Sequence, residues 1–473
     1  METALGQSEF VSLRYFAYAS KPFAIPLLCV RGSRFMVTAR LDRMVIKFRD
    51  VLAETERLRS DELRAYQENL LAPLVLHAYG NVPFYRNRLA SLRSGTEVDL
   101  DRWHTIPILT RGDVQQNLKA LTAERVPPHV GAVKRGETSG SSGRPIRFSV
   151  NELASIASLG ATDRAFRWWD FDGNKPMASF VARHGDDARP PDGKVETGWR
   201  VGSTGQHHML DLSADTSTQL AWLCKRRPSY LTAHSFVLNE VAKLAYQQRL
   251  DQRLERIISI GTVLTEDIRS ACEEAFGVQP IDQYGAQETG LLASECPWCG
   301  HFHINAETVL VEILDQDGRP SPPGTAGRVV VTAFYNYAMP FIRYELGDYA
   351  VAGPMKVKCP IKLPTLVKVM GRYRNVFILH DGRTIYPYVP VLRLEEYLSF
   401  EQIQIVQTNP TSIEVRYVPL DRYESIDQSG LETCLRELID PSFSVQAIAV
   451  DEIPRSSSGK FEDYLSLVVR QKN

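Results

Sequence analysis

No apolar run in the sequence approaches the roughly 20 residues needed to span a bilayer. The longest early run, residues 23–30, is interrupted by Pro26 and followed by Arg31, so it lacks the layout of a secretory signal. These two absences predict a cytoplasmic protein without a membrane partner.

Cysteine is scarce, and neither sign of charge is in excess. The 7 cysteines are scattered over 473 residues, which excludes a disulfide scaffold. With 55 Lys and Arg against 56 Asp and Glu, the net charge is -1, so bulk electrostatics gives no reason to expect a nucleic acid partner. What is present is an ordinary globular composition, with 44% apolar and 23% charged residues, which argues against long disorder.

The pattern of apolar residues predicts a helical start followed by an α/β fold. Three- and four-residue spacing over 41–71 indicates helix, and Thr110 begins a charged helix cap. Residues 152–169 also have a helical pattern, whereas the Gly, Pro, Asp and His content of 182–208 predicts a long surface loop. Further on, helices alternate with short apolar strands, which favours a largely parallel sheet. The predicted elements are helix 239–249, strand 256–260, helix 265–276 and strand 278–284.

Two changes of character follow along the chain. Residues 307–350 are rich in Val, Ile and Thr and are split by turn signals, which predicts a β-rich subdomain. From Tyr373 onward the pattern predicts a small α+β unit, which places a domain boundary near residue 371. We therefore expect an N-terminal domain over 1–371, with a helical region over 1–110, and a C-terminal domain over 372–473.

The stretch 137–145, Glu-Thr-Ser-Gly-Ser-Ser-Gly-Arg-Pro, lacks the lysine of a Walker A loop, which disfavours a P-loop NTPase. Its two glycines, four hydroxyls and one arginine nevertheless suit a polyphosphate. Apolar residues alternate just after it, so the run predicts a turn that feeds a strand of a hairpin. Taken alone, a mobile Gly/Ser turn explains it equally well. The candidate phosphate ligands are Thr138, Ser139, Gly140, Ser141, Ser142, Gly143 and Arg144.

Further stretches, each weak by itself, follow this loop in a particular order: Tyr-Gly-Ala-Gln-Glu at 284–288, Ile-Arg-Tyr-Glu-Leu-Gly-Asp at 342–348, Gly-Arg-Tyr-Arg-Asn at 371–375, and Arg-Ser-Ser-Ser-Gly-Lys at 455–460. The set resembles the AMP-forming acyl ligases. The finer resemblance is to the phenylacetate-CoA ligase branch and its capsular-polysaccharide-type relatives, through His-Ala-Tyr-Gly-Asn-Val-Pro-Phe-Tyr at 77–85 and Ser-Gly-Lys-Phe at 458–461.

The resemblance implies ATP and Mg²⁺ as cofactors and assigns roles to individual residues. The loop 138–144 would hold the β- and γ-phosphates, Tyr284 would stack on adenine, and Glu288 would bind Mg²⁺. Asp348 would accept the ribose hydroxyls with Arg372 close by, while Gly261 and Gly285 would line the nucleotide site. Without the pattern, Tyr284 is explained as core, Glu288 as a carboxylate at a helix start and Asp348 as a turn former.

Lys460 would be the catalytic cation that bridges the substrate carboxylate and the α-phosphate, instead of a solvated tail residue. The resemblance also implies that the small C-terminal domain rotates after adenylation, about a hinge at Arg374. Two departures stand out: Arg374-Asn375 replaces a common Asp-Asp, and Thr262 stands where the branch has a glutamate. Thr262 cannot act as an anion.

The resemblance further places the pocket for the acid between the helix that ends at Trp168, the segment with His234, and Ala286, with His207 or His208 reaching in from the long loop. Aromatic and small residues suit a planar aryl or arylalkyl acid, although aromatics at helical spacing also suit a core. The identity of the acid is not readable from the sequence.

Cys296-Pro-Trp-Cys299 is a knuckle of the kind that tetrahedral zinc sites use. Cys359 matches a position where members of this branch often carry a cysteine. We therefore expect a structural zinc ion on Cys296, Cys299, His303 and Cys359, with His301 as the competing fourth ligand. The alternative is a reduced, buried thiol pair.

The predicted function is ATP-dependent activation of a carboxylic acid to an acyl adenylate, followed by transfer to a thiol, with coenzyme A as first choice. One alternative is transfer to an amine, a hydroxyl or a carrier protein, because no basic patch for the coenzyme A 3′-phosphate is evident. Another is a non-catalytic homologue that acts as a binding protein. The oligomeric state is left open, a homodimer included.

Overall fold

A computed structural model describes residues 39–94, 97–137, 146–181, 188–212, 214–354, 356–372, 377–381, 384–385, 387, 389, 391–420, 426–454 and 464–468. Within these ranges the α-helices are Ala39–Thr55, Ser60–Asn81, Tyr85–Arg88, Arg111–Gln116, Leu118–Leu121, Glu152–Trp168, Thr216–Arg226, Ser235–Gln247, Glu266–Phe276, Val391–Leu394 and Gln428–Leu438. Short 3-10 helices lie at Ala90–Leu92, Leu100–Thr105 and Pro128–Val130. None of the helices in these ranges has both the length and the apolar character needed to cross a bilayer.

Twelve strands form one large mixed sheet. Five neighbouring strands run parallel, as the alternating pattern predicts, and the others are antiparallel. From one edge of the sheet to the other, the strands are Val309–Leu314, Ala326–Ala333, Tyr344–Ala352, Thr365–Arg372, Phe302–Ile304, Gly290–Glu295, Pro280–Ala286, Arg256–Ile260, Tyr230–His234, Met177–Val181, Gln206–Asp211 and Lys194–Thr197.

Local signals in the sequence explain where several helices begin and end. Thr110 and Asp113 form a reciprocal capping box at the start of Arg111–Gln116. Helix Glu266–Phe276 begins after Thr265, whose hydroxyl accepts from the Ile268 amide, and it ends at Gly277, whose φ of +82° suits glycine.

Two predicted elements differ from the structure. The helical pattern over 41–71 forms two helices, because the chain turns between Thr55 and Ser60. The predicted loop 182–208 is wrong in its second half, which contributes strands Lys194–Thr197 and Gln206–Asp211 to the large sheet. Residues 182–187 of that loop lie outside the described residues.

The predicted hairpin around the phosphate loop is confirmed, because strands Val133–Glu137 and Arg147–Asn151 pair in antiparallel register. The β-rich region 307–350 is also confirmed, by the strands at the antiparallel edge of the large sheet. The fold class is therefore α/β, as predicted.

The last part of the chain forms a smaller α+β unit. Its four-stranded sheet runs in the order Ser444–Ala449, Ser412–Pro419, Phe400–Asn409 and Tyr464–Ser466. Strand Phe377–Ile378 pairs in antiparallel register with Thr384–Ile385. The apolar cluster of this unit, from Phe377 to Val445 with Tyr464 packed against it, draws only on residues after 376.

Candidate functional site

The predicted site lies where parallel strands of the large sheet end. Strands Tyr230–His234, Arg256–Ile260 and Pro280–Ala286 are neighbours, and their register aligns His234 with Ile260 and Ile260 with Gln283. The carboxyl ends of such strands are the usual place for ligands in open α/β sheets. His234, Gly261 and Tyr284 therefore come from separate parts of the sequence to one edge of the sheet.

Tyr284 and Asp348 form a direct contact at this edge. The Tyr284 hydroxyl donates a 2.8 Å hydrogen bond to Asp348 Oδ2, although the two residues are 64 positions apart. Tyr284 is buried, and Asp348 lies opposite Arg372 in the pairing of two antiparallel strands. The structure thus brings together the residues that are predicted to bind adenine and ribose. Arg372 lies on the neighbouring strand, directly opposite Asp348.

Glu288 occupies the turn of a tight hairpin, and not a helix start. Ala286 pairs with Gly290, so three residues form the turn, and the register shifts between Tyr284 and Gly285. Gly290 has φ +82°, and a Cβ there would lie 2.9 Å from the Ser158 hydroxyl, so the turn requires glycine. Glu288 is only 7% exposed.

The surroundings of Glu288 combine opposing electrostatic effects. Burial raises the pKa of Glu288, Asp348 adds to the rise, and Arg111 lowers it. The buried Tyr344 hydroxyl lies 3.3 Å from Glu288 Oε1 and donates to it. A carboxylate in this setting can bind a hard cation that arrives with phosphate oxygens.

Arg111 and Tyr344 were missed as site residues in the sequence. Arg111 follows the cap residue Thr110, and Tyr344 lies within the Ile-Arg-Tyr run that precedes Asp348. Their positions next to a helix cap and next to a motif were the only hints in the sequence. Nothing in either segment shows that Arg111 and Tyr344 lie near Glu288.

Thr262 has a structural role that a glutamate could not reproduce unchanged. Its hydroxyl accepts from the Ser235 amide at 3.1 Å and lies 2.6 Å from the Ser235 hydroxyl, at the start of helix Ser235–Gln247. The residue that departs from the branch pattern therefore joins the strand end at Gly261 to the neighbouring helix.

The predicted pocket residues do not all come together. His234 lies at the strand edge, with Nδ1 3.0 Å from the Ile260 carbonyl and its ring stacked on Phe236. His207 aligns with Met177 and Tyr230, four residues before His234, which is about 13 Å along the strands. Its Nε2 lies 2.8 Å from the Ser179 hydroxyl.

Trp168 shares an apolar cluster with Tyr284, and Ala286 packs against that cluster. The Trp168 indole nitrogen donates to Glu56 at 3.0 Å, and its ring lies edge-on to His303. Ala286 lies in the hairpin beside Glu288. His234 and Ala286 thus lie near the strand edge, and Trp168 belongs to the apolar cluster against which Ala286 packs.

Several predicted site residues lie outside the described part of the chain. They are the phosphate loop Thr138–Arg144, the hinge residue Arg374 and the catalytic residue Lys460. Glu137 and Arg147, the last paired residues on either side of the loop, do place its base at the end of the Val133–Glu137 hairpin.

The predicted zinc ligands form a close cluster. Ligand atoms of Cys296, Cys299, His303 and Cys359 all lie within 4.8 Å of one another. Cys296 Sγ is 3.6 Å from Cys359 Sγ, and His303 Nε2 is 3.3 Å from Cys359 Sγ. A tetrahedron with Zn–S bonds of about 2.3 Å has edges of about 3.8 Å, so these separations suit zinc.

The two histidines near the knuckle point differently. His303 Nδ1 lies 3.0 Å from the Leu363 carbonyl, which only accepts, so Nε2 is left as the ligand atom toward the thiols. Burial lowers the pKa of His303 to about 4, which keeps the ring neutral. His301 Nδ1 lies 3.0 Å from the Cys299 carbonyl instead.

Comparison with known proteins yields relatives along nearly the whole chain. No family model matches the sequence. The chain is 24% identical to the phenylacetate-coenzyme A ligase of Thermus thermophilus, with 88% of this chain and 98% of the relative covered. The corresponding enzyme of Pseudomonas putida is also 24% identical, with coverage of 82% and 89%. Protein CapK of Staphylococcus aureus is 21% identical, with coverage of 86% and 90%.

Among solved structures, a 2-hydroxyisobutyryl-CoA ligase in the postadenylation state superposes with a TM-score of 0.68. The match covers 87% of this chain and 91% of the ligase at 15% identity, so it establishes the fold. These findings confirm the resemblance that the motifs carry: along most of its length the chain is similar to proteins named phenylacetate-coenzyme A ligase.

Proposed function

We propose that this protein is an ATP-dependent acid–thiol ligase with coenzyme A as the acceptor. A carboxylate attacks the α-phosphorus of ATP, pyrophosphate leaves, and the resulting acyl adenylate is attacked by the thiol, which releases AMP. The observation that carries the proposal is the meeting of Tyr284, Asp348 and Glu288 at the carboxyl edge of the parallel strands. Relatives named phenylacetate-coenzyme A ligase support it.

In this proposal Tyr284 and Asp348 bind the nucleoside. The ring of Tyr284 stacks on adenine, while its hydroxyl fixes the Asp348 carboxylate through the 2.8 Å hydrogen bond. A carboxylate so oriented accepts the two ribose hydroxyls. Gly261, Gly285 and Arg372 complete this side of the site, and Thr138–Arg144 take the β- and γ-phosphates.

Glu288 is the proposed protein ligand of Mg²⁺. The buried Glu288 carboxylate fits this ion, which usually takes one or two carboxylates together with substrate phosphates. When bound, the ion neutralises charge on the departing pyrophosphate. The protein's contribution is to hold the carboxylate in place at the hairpin turn.

Lys460 supplies the second cation, at the substrate carboxylate and the α-phosphate. We place it on a C-terminal domain that begins after residue 371 and turns at Arg374. The separate apolar cluster after residue 376 supports that boundary. A mobile domain can deliver the lysine for adenylation and withdraw it for thiol transfer.

The acid is proposed to be aryl or arylalkyl. Its pocket lies at the strand edge beside His234 and Ala286, where the stacked rings of His234 and Phe236 offer a flat apolar wall. Replacing His234 with alanine should change the substrate profile; an unchanged profile would remove His234 from the pocket.

We also infer a structural zinc ion on Cys296, Cys299, His303 and Cys359. Four ligands close the tetrahedron, so no position is left for catalysis. Cys296 directly follows strand Gly290–Glu295, whose other end leaves the Glu288 turn. The ion would therefore anchor the hairpin that carries the magnesium ligand.

The decisive experiment is acid-dependent release of pyrophosphate from ATP, with a panel of aryl, arylalkyl and fatty acids, with and without coenzyme A. Release that quickens with coenzyme A is expected. A rate of pyrophosphate release that does not change with coenzyme A would support adenylation and indicate an amine, a hydroxyl or a carrier protein as acceptor. ATP binding without release for any acid would contradict the proposal and favour a binding protein.

A further inference from the structure

Tyr344 connects the backbone around Leu109 to Glu288. The Leu109 amide donates to the Arg343 carbonyl at 2.8 Å, and the Glu345 amide donates to the Leu109 carbonyl at 2.9 Å. Leu109 thereby pairs in parallel with Tyr344. The Tyr344 backbone is held by a segment more than 230 positions earlier in the chain.

Arg343 fixes the same point through the residues just before Leu109. It is a buried, non-glycine residue with φ +48°, a conformation that costs free energy unless the surroundings hold it. Its guanidinium donates to the carbonyls of His104 at 2.9 Å and Ile106 at 2.7 Å and pairs with Glu312. These contacts determine the direction in which the next side chain, Tyr344, leaves the backbone.

Two residues of the motif at 77–85 hydrogen-bond to the backbone just before Tyr344. The Tyr85 hydroxyl donates to the Pro340 carbonyl at 2.9 Å and accepts from the Ile342 amide at 3.2 Å. His77 Nε2 lies 2.9 Å from the Tyr337 carbonyl. The motif at 77–85 thus braces the segment that carries Tyr344.

We propose that Tyr344 is a positioning residue for Glu288, and that Tyr85 sets Tyr344 through the backbone of 340–342. The proposal rests on the proposed role of Glu288 as the magnesium ligand. Mg²⁺ demands near-ideal octahedral geometry, so a single carboxylate ligand has to be held in one orientation. Asp348 repels the Glu288 carboxylate, whereas the hydrogen bond from Tyr344 holds it at the turn.

The test measures the affinity of Mn²⁺ for the full-length protein in complex with α,β-methylene-ATP, by titration calorimetry. Tyr344→Phe keeps the buried ring and removes the hydroxyl, so Mn²⁺ should bind about five- to tenfold more weakly. Tyr85→Phe should weaken binding in the same direction by about two- to threefold. Tyr230→Phe is the matched control, because its buried hydroxyl accepts from the Asp172 amide away from Glu288.

Pyrophosphate exchange adds a second readout. In Tyr344→Phe the Mg²⁺ concentration for half-maximal exchange should rise while the KM for the acid stays unchanged. A general loss of structure in the site would change both values. Unchanged Mn²⁺ affinity in Tyr344→Phe, or an equal loss in Tyr230→Phe, would overturn the proposal. If Tyr344→Phe does not fold, unchanged affinity in Tyr85→Phe overturns it.

The two proposals fail differently. Wild-type protein that binds Mn²⁺ with the nucleotide but releases no pyrophosphate contradicts the ligase function and leaves the role of Tyr344 testable by calorimetry. If the wild-type protein is active and Tyr344→Phe binds Mn²⁺ with the same affinity, only the proposed role of Tyr344 is contradicted.

Discussion

In the proposed site Tyr284 would combine two roles, since its ring would stack on adenine while its hydroxyl donates to Asp348. Tyr284→Phe should keep the stacking and release the carboxylate. We expect the KM for ATP to rise about three- to tenfold with a smaller change in kcat, because the lost hydrogen bond is to a charged group. Steady-state pyrophosphate release over a range of ATP concentrations measures both values.

The control for this substitution is again Tyr230→Phe, which removes a buried hydroxyl that accepts a hydrogen bond from the Asp172 amide. It should lower the free energy of unfolding by about 1 kcal/mol and leave the KM for ATP unchanged. A normal KM in Tyr284→Phe would mean that Asp348 is oriented by other groups.

Asp282 predicts a pH dependence of stability. Burial raises its pKa to about 7, Glu295 adds to the rise, and Arg269 opposes it. The folded protein therefore binds this proton more tightly than the unfolded chain, whose aspartate pKa is about 3.9. The stabilising contribution is fully present below that value and is lost as pH rises toward 7; the total loss is a few kcal/mol, on the order of 1.4 kcal/mol per pKa unit.

Asp282→Asn should remove this loss, since the amide stays neutral and keeps an acceptor oxygen. The variant should gain stability over wild type between pH 5 and pH 8, measured by urea unfolding at each pH. A difference between the two proteins that does not change with pH would show that Asp282 does not titrate in this range.

At the scale of elements, the Cys-His cluster joins the ends of three strands. Cys296 follows Gly290–Glu295, His303 lies in Phe302–Ile304, and Cys359 precedes Thr365–Arg372. Cys359→Ser should lower bound zinc well below about one ion per chain and reduce the thermal midpoint by several degrees, because metal binding contributes to folding free energy. Metal analysis and thermal unfolding of untagged protein measure both.

Cys272→Ala is the matched control for the cluster, because Cys272 is equally buried but packs in an apolar core. Its zinc content should equal that of wild type. If the wild-type protein lacks near-stoichiometric zinc, the zinc proposal is wrong and the cysteines of the cluster are buried thiols.

Elements with a strong local pattern were predictable from the sequence, and those made by long-range pairing were not. Helix Glu266–Phe276 has a cap, an amphipathic face and a terminal glycine, and it was placed within one residue. Strand Gln206–Asp211 was missed because its partners, Met177–Val181 and Lys194–Thr197, decide its state, while its own Gly- and His-rich context suggests a loop. Strand Tyr230–His234 was also not predicted.

At the scale of the whole molecule, motif order placed Tyr284, Glu288 and Asp348 in one site, and the structure brings these three together. Arg111 and Tyr344 could not be found in this way, because their proximity to Glu288 depends on the Leu109 pairing across more than 230 residues. A linear pattern records which side chains are available for chemistry. The contacts that orient them arise only when distant segments pair.

The division into two units leads to the last prediction, which separates the two half-reactions. If Lys460 acts only in adenylation, Lys460→Ala should reduce acid-dependent pyrophosphate release by about a thousandfold, the scale on which single catalytic cations act. Thiolysis of a supplied acyl adenylate by coenzyme A should continue at close to the wild-type rate. Lys243→Ala, on the exposed face of helix Ser235–Gln247, is the control and should leave both rates unchanged. Loss of both half-reactions in Lys460→Ala would instead make Lys460 a structural residue of the C-terminal unit or show that the domain rotation is assigned wrongly.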